Sequence, residues 1–386
     1  MISLPYSESE IREFFEKHQH DNPADVLLSR SDLEREKLLW LLEQLKSRNR
    51  LRTKIPEWYN RFDLILPPEG NLSQSSSTLT AQHKSKWVIG DLLDLTGGSG
   101  VDLWQMSSNG QRCKLVEPNS ELLAITQYNL TRLHIDVETH QGDAESYLDA
   151  LSPFEGTIYL DPSRRSDDGS KTVALHRMSP DLTGMWSALL EKSKRIIVKL
   201  SPLFDLTAIQ RELSNVMRIE VVAVNNEVKE VLVIAEPKFE GRVQIEAIEL
   251  NPDRPWSYSS EADSRELNRT FGEYIYDPSS ALVKAELSDA WAAENELSRP
   301  YPQAHVYFSD TLKENYPGRV FRITQKDKPY KLKDLPQRLS IISRYYHERP
   351  EQIRKKLKVG ESETDFLFAL GKNKGERVFI HAVRVV

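Results

Sequence analysis

Three short runs hold the residues whose types and spacing could do chemistry. Asp94-Leu-Thr-Gly-Gly-Ser-Gly100 ends one apolar segment, Glu117 ends a second, and Asp161-Pro-Ser-Arg-Arg165 ends a third. Glycines let a backbone approach a ligand closely, and a helix starting behind them offers unpaired amide donors. A carboxylate about 20 residues further on, at the end of the next strand, can accept both hydroxyls of a ribose. The pattern is that of a nucleoside-binding loop with Glu117 as ribose acceptor. It is not a dinucleotide fingerprint, because Leu103 stands where the third glycine belongs. Asp94 would repel a pyrophosphate, whereas a carboxylate at this place is common beside the amino acid part of S-adenosylmethionine. Asp102 adds a second carboxylate, which as a first-turn acid would also complement the helix dipole. Gly169-Ser-Lys-Thr172 is not a phosphate-binding Walker loop, since no glycine is placed before it.

The third run falls at the same rim, where ligands of open α/β sheets bind. Pro162 fixes φ and can aim a carbonyl at a transferred group, and Asp161 can accept from an amino group. Arg164 and Arg165 could grip a phosphate or carboxylate with forked donors, or pair with Asp167 and Asp168.

Alternating elements position these runs. Strands are expected over Val88–Leu95, Cys113–Glu117, Ile135–Thr139, Thr157–Asp161 and Arg195–Leu200. Helices are expected from Val101 to about Asn109, and over Asn119–Leu133, Asp181–Lys192 and residues 205–216. Val221–Asn225 and Val228–Ala235 read as a hairpin around Asn226-Glu227. This rhythm predicts an α/β fold with right-handed crossovers and a mainly parallel sheet, its last edge antiparallel. Upstream, residues 1 to about 65 read as helical. Ser7-Glu-Ser-Glu10 opens one helix, Asn22-Pro23 breaks it, and Ser31-Asp-Leu-Glu34 resembles a capping box. Lys46 to Arg52 reads as a solvated helix end. Beyond a linker at Asn251–Pro255, a helix over Ala281–Asn295 and a strand over His305–Phe308 are expected. A strand, a helix over Pro350–Lys358 and two strands, Asp365–Leu370 and Arg377–Arg384, follow. The expected organisation is an N-terminal helical domain (1–70), a ligand-binding domain (71–250), a linker with a small module (251–317) and a basic module (318–386).

At 386 residues, 39% hydrophobic and 28% charged, the chain can bury a sizeable core. No apolar run approaches the ~18–20 residues of a membrane span. The first residues have neither a basic nor an apolar signal region, so no secretory leader is expected. The single cysteine, Cys113, excludes an internal disulfide and a cysteine-based zinc site. It fits a reducing cytoplasm, the expected location. The nine histidines show no metal-ligand spacing, so no metal is expected. Net charge is −6, yet residues 318–386 carry +9 and the remainder −15. A basic module on an acidic body is either a solvated surface or a face for a polyanion.

Asp94-Leu-Thr-Gly-Gly-Ser-Gly-Val-Asp102, Glu117-Pro-Asn119, Gly142-Asp143-Ala144 and Asp161-Pro-Ser-Arg-Arg165, in this order, resemble the class I S-adenosylmethionine-dependent methyltransferases. More narrowly, the chain resembles the bacterial THUMP-like-domain methyltransferases. Leu72-Ser-Gln-Ser-Ser-Ser with Thr80, Ala81 and Lys84 is similar to that group's segment before the glycine loop. Tyr276-Asp-Pro278 resembles the entry to its ferredoxin-like module, and Arg354-Lys-Lys-Leu357 with Ala382 and Arg384 its THUMP-like module. The resemblance implies a Rossmann-like methyltransferase sheet followed by a small α+β region. It implies Asp94, Gly98 and Gly100 around the methionine part, Glu117 on the ribose and Asp143 near the adenine. Thr96, Gly97, Asp102 and Ala144 complete the implied cofactor set, and Asp161, Pro162, Ser163 and Arg164 the catalytic one. Two positions depart from the pattern. Thr96 stands where glycine is frequent, and Arg164 replaces the aromatic that stacks on a flipped base in amino-methylating enzymes, though an arginine plane also stacks on bases.

Methylation at pyrimidine C5 needs a cysteine nucleophile. Cys113 lies in a strand away from the rim and reads as core, so that chemistry is excluded. Direct in-line transfer to nitrogen or oxygen remains, with proximity as the main catalytic term and Asp161 as proton acceptor. The basic module and the resemblance suggest RNA, tRNA or rRNA, held by Arg354, Lys355, Lys356 and Lys358. Arg354 and Lys358, four apart on one helix, would repel each other by a few tenths of a kcal/mol. Two alternatives stay open: a non-catalytic S-adenosylmethionine- or RNA-binding protein, and a small-molecule methyltransferase, which leaves the basic module unexplained.

Overall fold

Five strands lie side by side in parallel, as β–α alternation demands; four are almost continuously buried, as a sheet covered on both faces requires, while the edge strand Val137–Gln141 is partly exposed. They are β1 (Asp91–Asp94), β2 (Cys113–Glu117), β3 (Val137–Gln141), β4 (Gly156–Leu160) and, after the short pair β5 (Ser163–Arg164) and β6 (Met178–Ser179), β7 (Arg195–Leu200). The computed structural model describes residues 4–28, 33–108, 110–164, 174–261, 266–373 and 375–385. The chain divides into two units, Met1–Ile219 with Glu230–Val243, and Glu220–Lys229 with Gln244–Val386.

In the first unit the strands run in the order β7-β4-β1-β2-β3. A hairpin follows, β8 (Val216–Val224) and β9 (Glu227–Ala235), and β9 pairs antiparallel with β7. The expected antiparallel edge is therefore present. Its turn is Asn225-Asn226, with φ of 53° and 61°, one residue earlier than Asn226-Glu227. A tight hairpin turn wants both central residues left-handed, and asparagine adopts this at lower cost than glutamate. Other ends shift too. The helix expected to about Asn109 stops at Met106, and the one over 205–216 is Leu206–Glu212, since Asn215 turns left-handed before β8.

Helices Glu8–His18, Pro23–Leu28 and Arg35–Lys54 precede the sheet. Ser7 and Glu10 form a reciprocal capping box on the first. Ser31 and Asp32 of the other expected box lie outside the described residues, and the long helix starts after Glu34 without a side-chain cap. Ile11, Phe14, Phe15, Leu38, Leu41, Leu42 and Leu45 bury one apolar cluster. Leu51, Ile55 and Trp58 bury another that reaches Leu72, Ala81 and Val101, so the long helix shares core with the helix Val101–Met106 that follows β1. Arg48 is not at a solvated helix end. It is buried and donates to the carbonyls of Trp58, Tyr59 and Arg61.

In the second unit β10 (Gln244–Glu249) and β11 (Trp256–Tyr258) pair antiparallel. A six-stranded sheet is built from β12 (Tyr274–Pro278), β13 (Tyr307–Ser309), β14 (Gly318–Asp327), β15 (Ser340–Arg344), β16 (Asp365–Leu370) and β17 (Val378–Arg384). Its order is β13-β12-β14-β17-β16-β15, with β15 parallel to β16. Residues 251–317 and 318–386 thus contribute strands to one sheet. The helix expected over Ala281–Asn295 is two, Ser280–Lys284 and Ser288–Glu294, separated by Glu286 at φ 60°. Among the described residues no helix is long and apolar enough to cross a membrane.

Candidate functional site

The carboxyl ends of β1 to β4 border a cavity of about 350 Å³ in the first unit, within the ~300–1,000 Å³ of small-molecule sites. Asp94, Thr96, Gly97, Gly98, Gly100, Asp102, Glu117, Asp143 and Ala144 all line it, together with Asp161 and Ser163. Pro162 is buried beside them. Arg164 is placed only by its backbone, in β5, and Arg165, Asp167 and Asp168 lie outside the described residues.

The glycine loop is wedged between two elements. A Cβ on Gly97 would stand 2.4 Å from the Leu115 side chain, and one on Gly100, at φ 76°, would stand 2.7 Å from Thr126 Cγ2. Thr126 Oγ1 donates to the Gly98 carbonyl at 2.7 Å. The Gly98 N–H donates to Glu117 Oε2 and the Asn119 N–H to Glu117 Oε1, both at 2.9 Å. Each carboxylate oxygen keeps further acceptor capacity, so Glu117 is held rigidly and can still take two hydroxyls.

Thr96 has a reason for not being glycine. Its hydroxyl accepts from the Asp161 N–H at 2.7 Å and reaches Asp94 Oδ1 at 3.2 Å, tying the rim of β1 to that of β4. Its N–H donates to the same Asp94 oxygen at 2.8 Å. Asp94 is 1% exposed. Burial pushes its carboxyl up to about 8; the Thr96 N–H opposes this and the Asp102 charge adds to it. Asp143 caps the helix Ala144–Ala150, and the Ser146 N–H at 2.7 Å holds its carboxyl below the usual range.

Beneath the rim lies a charged floor that the motifs did not announce. Lys84 has no exposed surface. Its ammonium donates to Glu230 Oε2, Ser76 Oγ and the Thr80 carbonyl at 3.0, 3.1 and 3.0 Å, and lies 3.2 Å from Asp102 Oδ1. Ser76 Oγ in turn donates to Asp102 Oδ2 at 2.9 Å. Burial alone would raise the Asp102 carboxyl, but the charges of Lys84 and Lys199 outweigh it and the net direction is down. Glu230 goes up, because burial outweighs the same two lysines. Lys199, on β7, pairs with Asp161 Oδ2. Burial opposes its charge, yet Asp161, Asp102 and Glu230 hold it above the ordinary lysine range. Asp161 itself is raised by burial against the pull of Lys199. The Tyr159 hydroxyl, buried at the cavity wall, has no hydrogen-bond partner among the described residues.

Lys84 had stood out only through the resemblance, and Lys199 and Glu230 not at all. For Lys199 and Glu230 a signal was present: each abuts an apolar strand run, Ile-Ile-Val-Lys-Leu and Glu-Val-Leu-Val-Ile, and a charge there needs a buried partner. Cys113 is in the core, where burial pushes its thiol up to about 11 and leaves it protonated.

In the second unit, Arg354, Lys355 and Lys356 occupy the helix Pro350–Leu357. Arg354 pairs with Glu361 at 2.6 Å and Lys356 with Glu348, while Lys355 and Lys358 are exposed. The expected repulsion of Arg354 and Lys358 along one helix does not arise, because Lys358 lies past the helix end at φ 55°. Among the described residues no cluster of His, Cys, Asp or Glu is placed to hold a metal ion.

No protein-family model matches the chain, and no curated protein matches it. Among solved structures, one from Porphyromonas gingivalis W83, described as a "putative methyltransferase", is 27% identical, with a TM-score of 0.85 over 99% of this chain and 100% of that one. A "putative rRNA-methylase" from Clostridium thermocellum is 15% identical, with a TM-score of 0.31 over 41% of this chain and 94% of its own. The first likeness extends over the whole chain, and the fold is the Rossmann-like α/β type with a second sheet domain.

Proposed function

We propose that the chain is an S-adenosylmethionine-dependent methyltransferase acting on RNA, tRNA or rRNA, by in-line transfer to a nitrogen or oxygen. The observation that carries the cofactor is the meeting of Asp94, the Gly97–Gly100 turn and Glu117 on one cavity. The residues fit the group: Glu117 has acceptor capacity for two ribose hydroxyls, Gly97 and Gly100 leave no room for a Cβ, and the buried carboxyl of Asp94 suits an ammonium. When bound, the cofactor supplies an electrophilic methyl on a sulfonium. Asp143 and Ala144 are assigned to its adenine end. Asp161 takes the proton the acceptor sheds, and Pro162 sets the backbone that aims at the acceptor. The full-length structural likeness to the protein described as a "putative methyltransferase" supports this reading.

Calorimetry is expected to find one site for S-adenosylmethionine. Glu117→Ala is expected to weaken it by about 1.5–3 kcal/mol, the worth of hydrogen bonds to a charged group. Equal binding by wild type and variant, or a preference for a nicotinamide, would sink the assignment.

The RNA part rests on the +9 charge of residues 318–386. Tritium from labelled cofactor is expected in bulk RNA rather than in protein or small-molecule fractions. Lys355 and Lys358, which the structure leaves without an ion pair among the described residues, are the better charges to reverse. Lys355→Glu with Lys358→Glu is expected to weaken RNA binding and flatten the slope of log affinity against log salt by roughly 1.4, at ~0.7 per phosphate contact. An unchanged slope would make this helix a solvated face.

A further inference from the structure

Lys199 lies on β7 and Asp161 directly follows β4, its parallel neighbour, where Val198 of β7 is in register with Leu160 at the end of β4. Lys199 Nζ lies 2.5 Å from Asp161 Oδ2. The lysine side chain is largely buried, while a third of the aspartate side chain, 33%, remains open, and Asp161 borders the cavity. Its second oxygen has no hydrogen bond among the described residues. Its backbone is pinned by the Thr96 hydroxyl at 2.7 Å. One oxygen is thus clamped, the main chain is fixed, and the other oxygen is left over.

We propose that Lys199 is a positioning residue for the transfer: it holds Asp161 as a charged carboxylate with one oxygen free to receive the acceptor's proton. This rests on the methyl-transfer reading above. The acceptor lone pair forms the bond to the methyl carbon, and the sulfur–methyl bond breaks with its electron pair going to sulfur. The acceptor's proton passes to Asp161 and from there to water. A carboxyl that already holds a proton cannot take another, so the charge on Asp161 decides whether the step can finish.

The groups around Asp161 show why a local cation is needed. The neighbouring Asp94 on β1 and Tyr159 on β4 are both pushed up by burial and offer no compensating positive charge; Asp102 on the helix Val101–Met106 disfavours a further negative charge on Asp161, and burial acts the same way. Lys84 on the helix Thr78–Ser85 and Lys199 on β7 oppose them, with Glu230 on β9 drawing on both lysines. Lys84 is bound to Glu230 and Ser76, and among the described residues Lys199 is the one cation bonded to the Asp161 carboxylate.

The test uses the full-length protein labelled with [γ-13C]aspartate, the Asp161 resonance being assigned by its loss in Asp161→Asn. Lys199→Met is expected to raise the Asp161 titration midpoint by about one pH unit or more, the effect of losing an adjacent opposite charge. Lys199→Arg is expected to restore it. Affinity for S-adenosylmethionine, measured by calorimetry, is expected to be unchanged in both, because Lys199 does not line the cavity. If Lys199→Met fails to fold, Lys199→Gln is read by the same criterion. A midpoint that stays put in a folded Lys199→Met or Lys199→Gln variant that still binds cofactor overturns the assignment. Failure of the wild type to bind cofactor defeats the methyl-transfer reading instead, and with it the purpose given to the pair.

Discussion

Lys84→Met is expected to destabilise the first unit by about 3–5 kcal/mol, the cost of removing one partner from a buried ion pair. The loss is large because the ammonium serves Asp102 and Glu230 together, and both stay behind, buried, without it. Urea unfolding followed by near-ultraviolet circular dichroism reads it, since Trp58 and Trp104 pack 5.6 Å apart in this unit. Adding Glu230→Gln to Lys84→Met removes one stranded charge and is expected to recover part of the loss, a coupling that a double-mutant cycle isolates. A single variant costing under about 1 kcal/mol, the worth of an exposed pair, would mean that the floor is solvated.

The affinity for S-adenosylmethionine is expected to rise with pH by up to tenfold per unit between about pH 6 and 7.5, short of where the cofactor's own amino group titrates. Burial pushes the Asp94 carboxyl up to about 8, so in the empty protein it is protonated over this range. A ligand bearing an ammonium and a sulfonium favours the ionised form, and binding then expels a proton. Stability without ligand runs the opposite way. The folded carboxyl holds its proton more tightly than the unfolded one, so its contribution is full below about pH 4 and is lost as pH rises through about 8. Calorimetry in buffers of different ionisation enthalpy counts the proton directly. Asp94→Asn should flatten the dependence, and adenosine, which lacks the amino acid part, should show none. A slope that survives Asp94→Asn would place the titrating group elsewhere.

The rim was legible because its chemistry is local. Asp94 to Gly100 is one loop, Glu117 one strand further on, and Asp161 precedes a proline; in each the residue types are dictated by the turn they occupy. The parallel sheet and its antiparallel edge were legible for the same reason, from apolar runs separated by turns. The floor was not. Lys84 and Glu230 are 146 residues apart, and nothing near either one names its partner. Their meeting is a product of strand order, which puts β9 next to β7 and the helix Thr78–Ser85 beneath the same rim. Thr96 looked like a departure from a glycine pattern because its hydroxyl's two hydrogen bonds run to Asp94 and Asp161, the second of them 65 residues away, past the end of β4. Helix ends were least legible. Glu286 and Asn215 take left-handed conformations that end a segment without glycine or proline to mark it.

The division of the chain also bears on how the protein can be cut. The polypeptide leaves the first unit after Ile219, returns at Glu230 and leaves again after Val243. A stop codon after Val243 would therefore not yield a clean N-terminal fragment. It would leave the ten residues Glu220–Lys229, which belong to the second unit, as an orphaned hairpin end on the first. A gene fusion that appended Gln244–Val386 to another protein would lack those same residues. Neither half is a cassette, and a working fragment of the first unit needs a short synthetic bridge from Ile219 to Glu230, replacing the excursion rather than trimming the end.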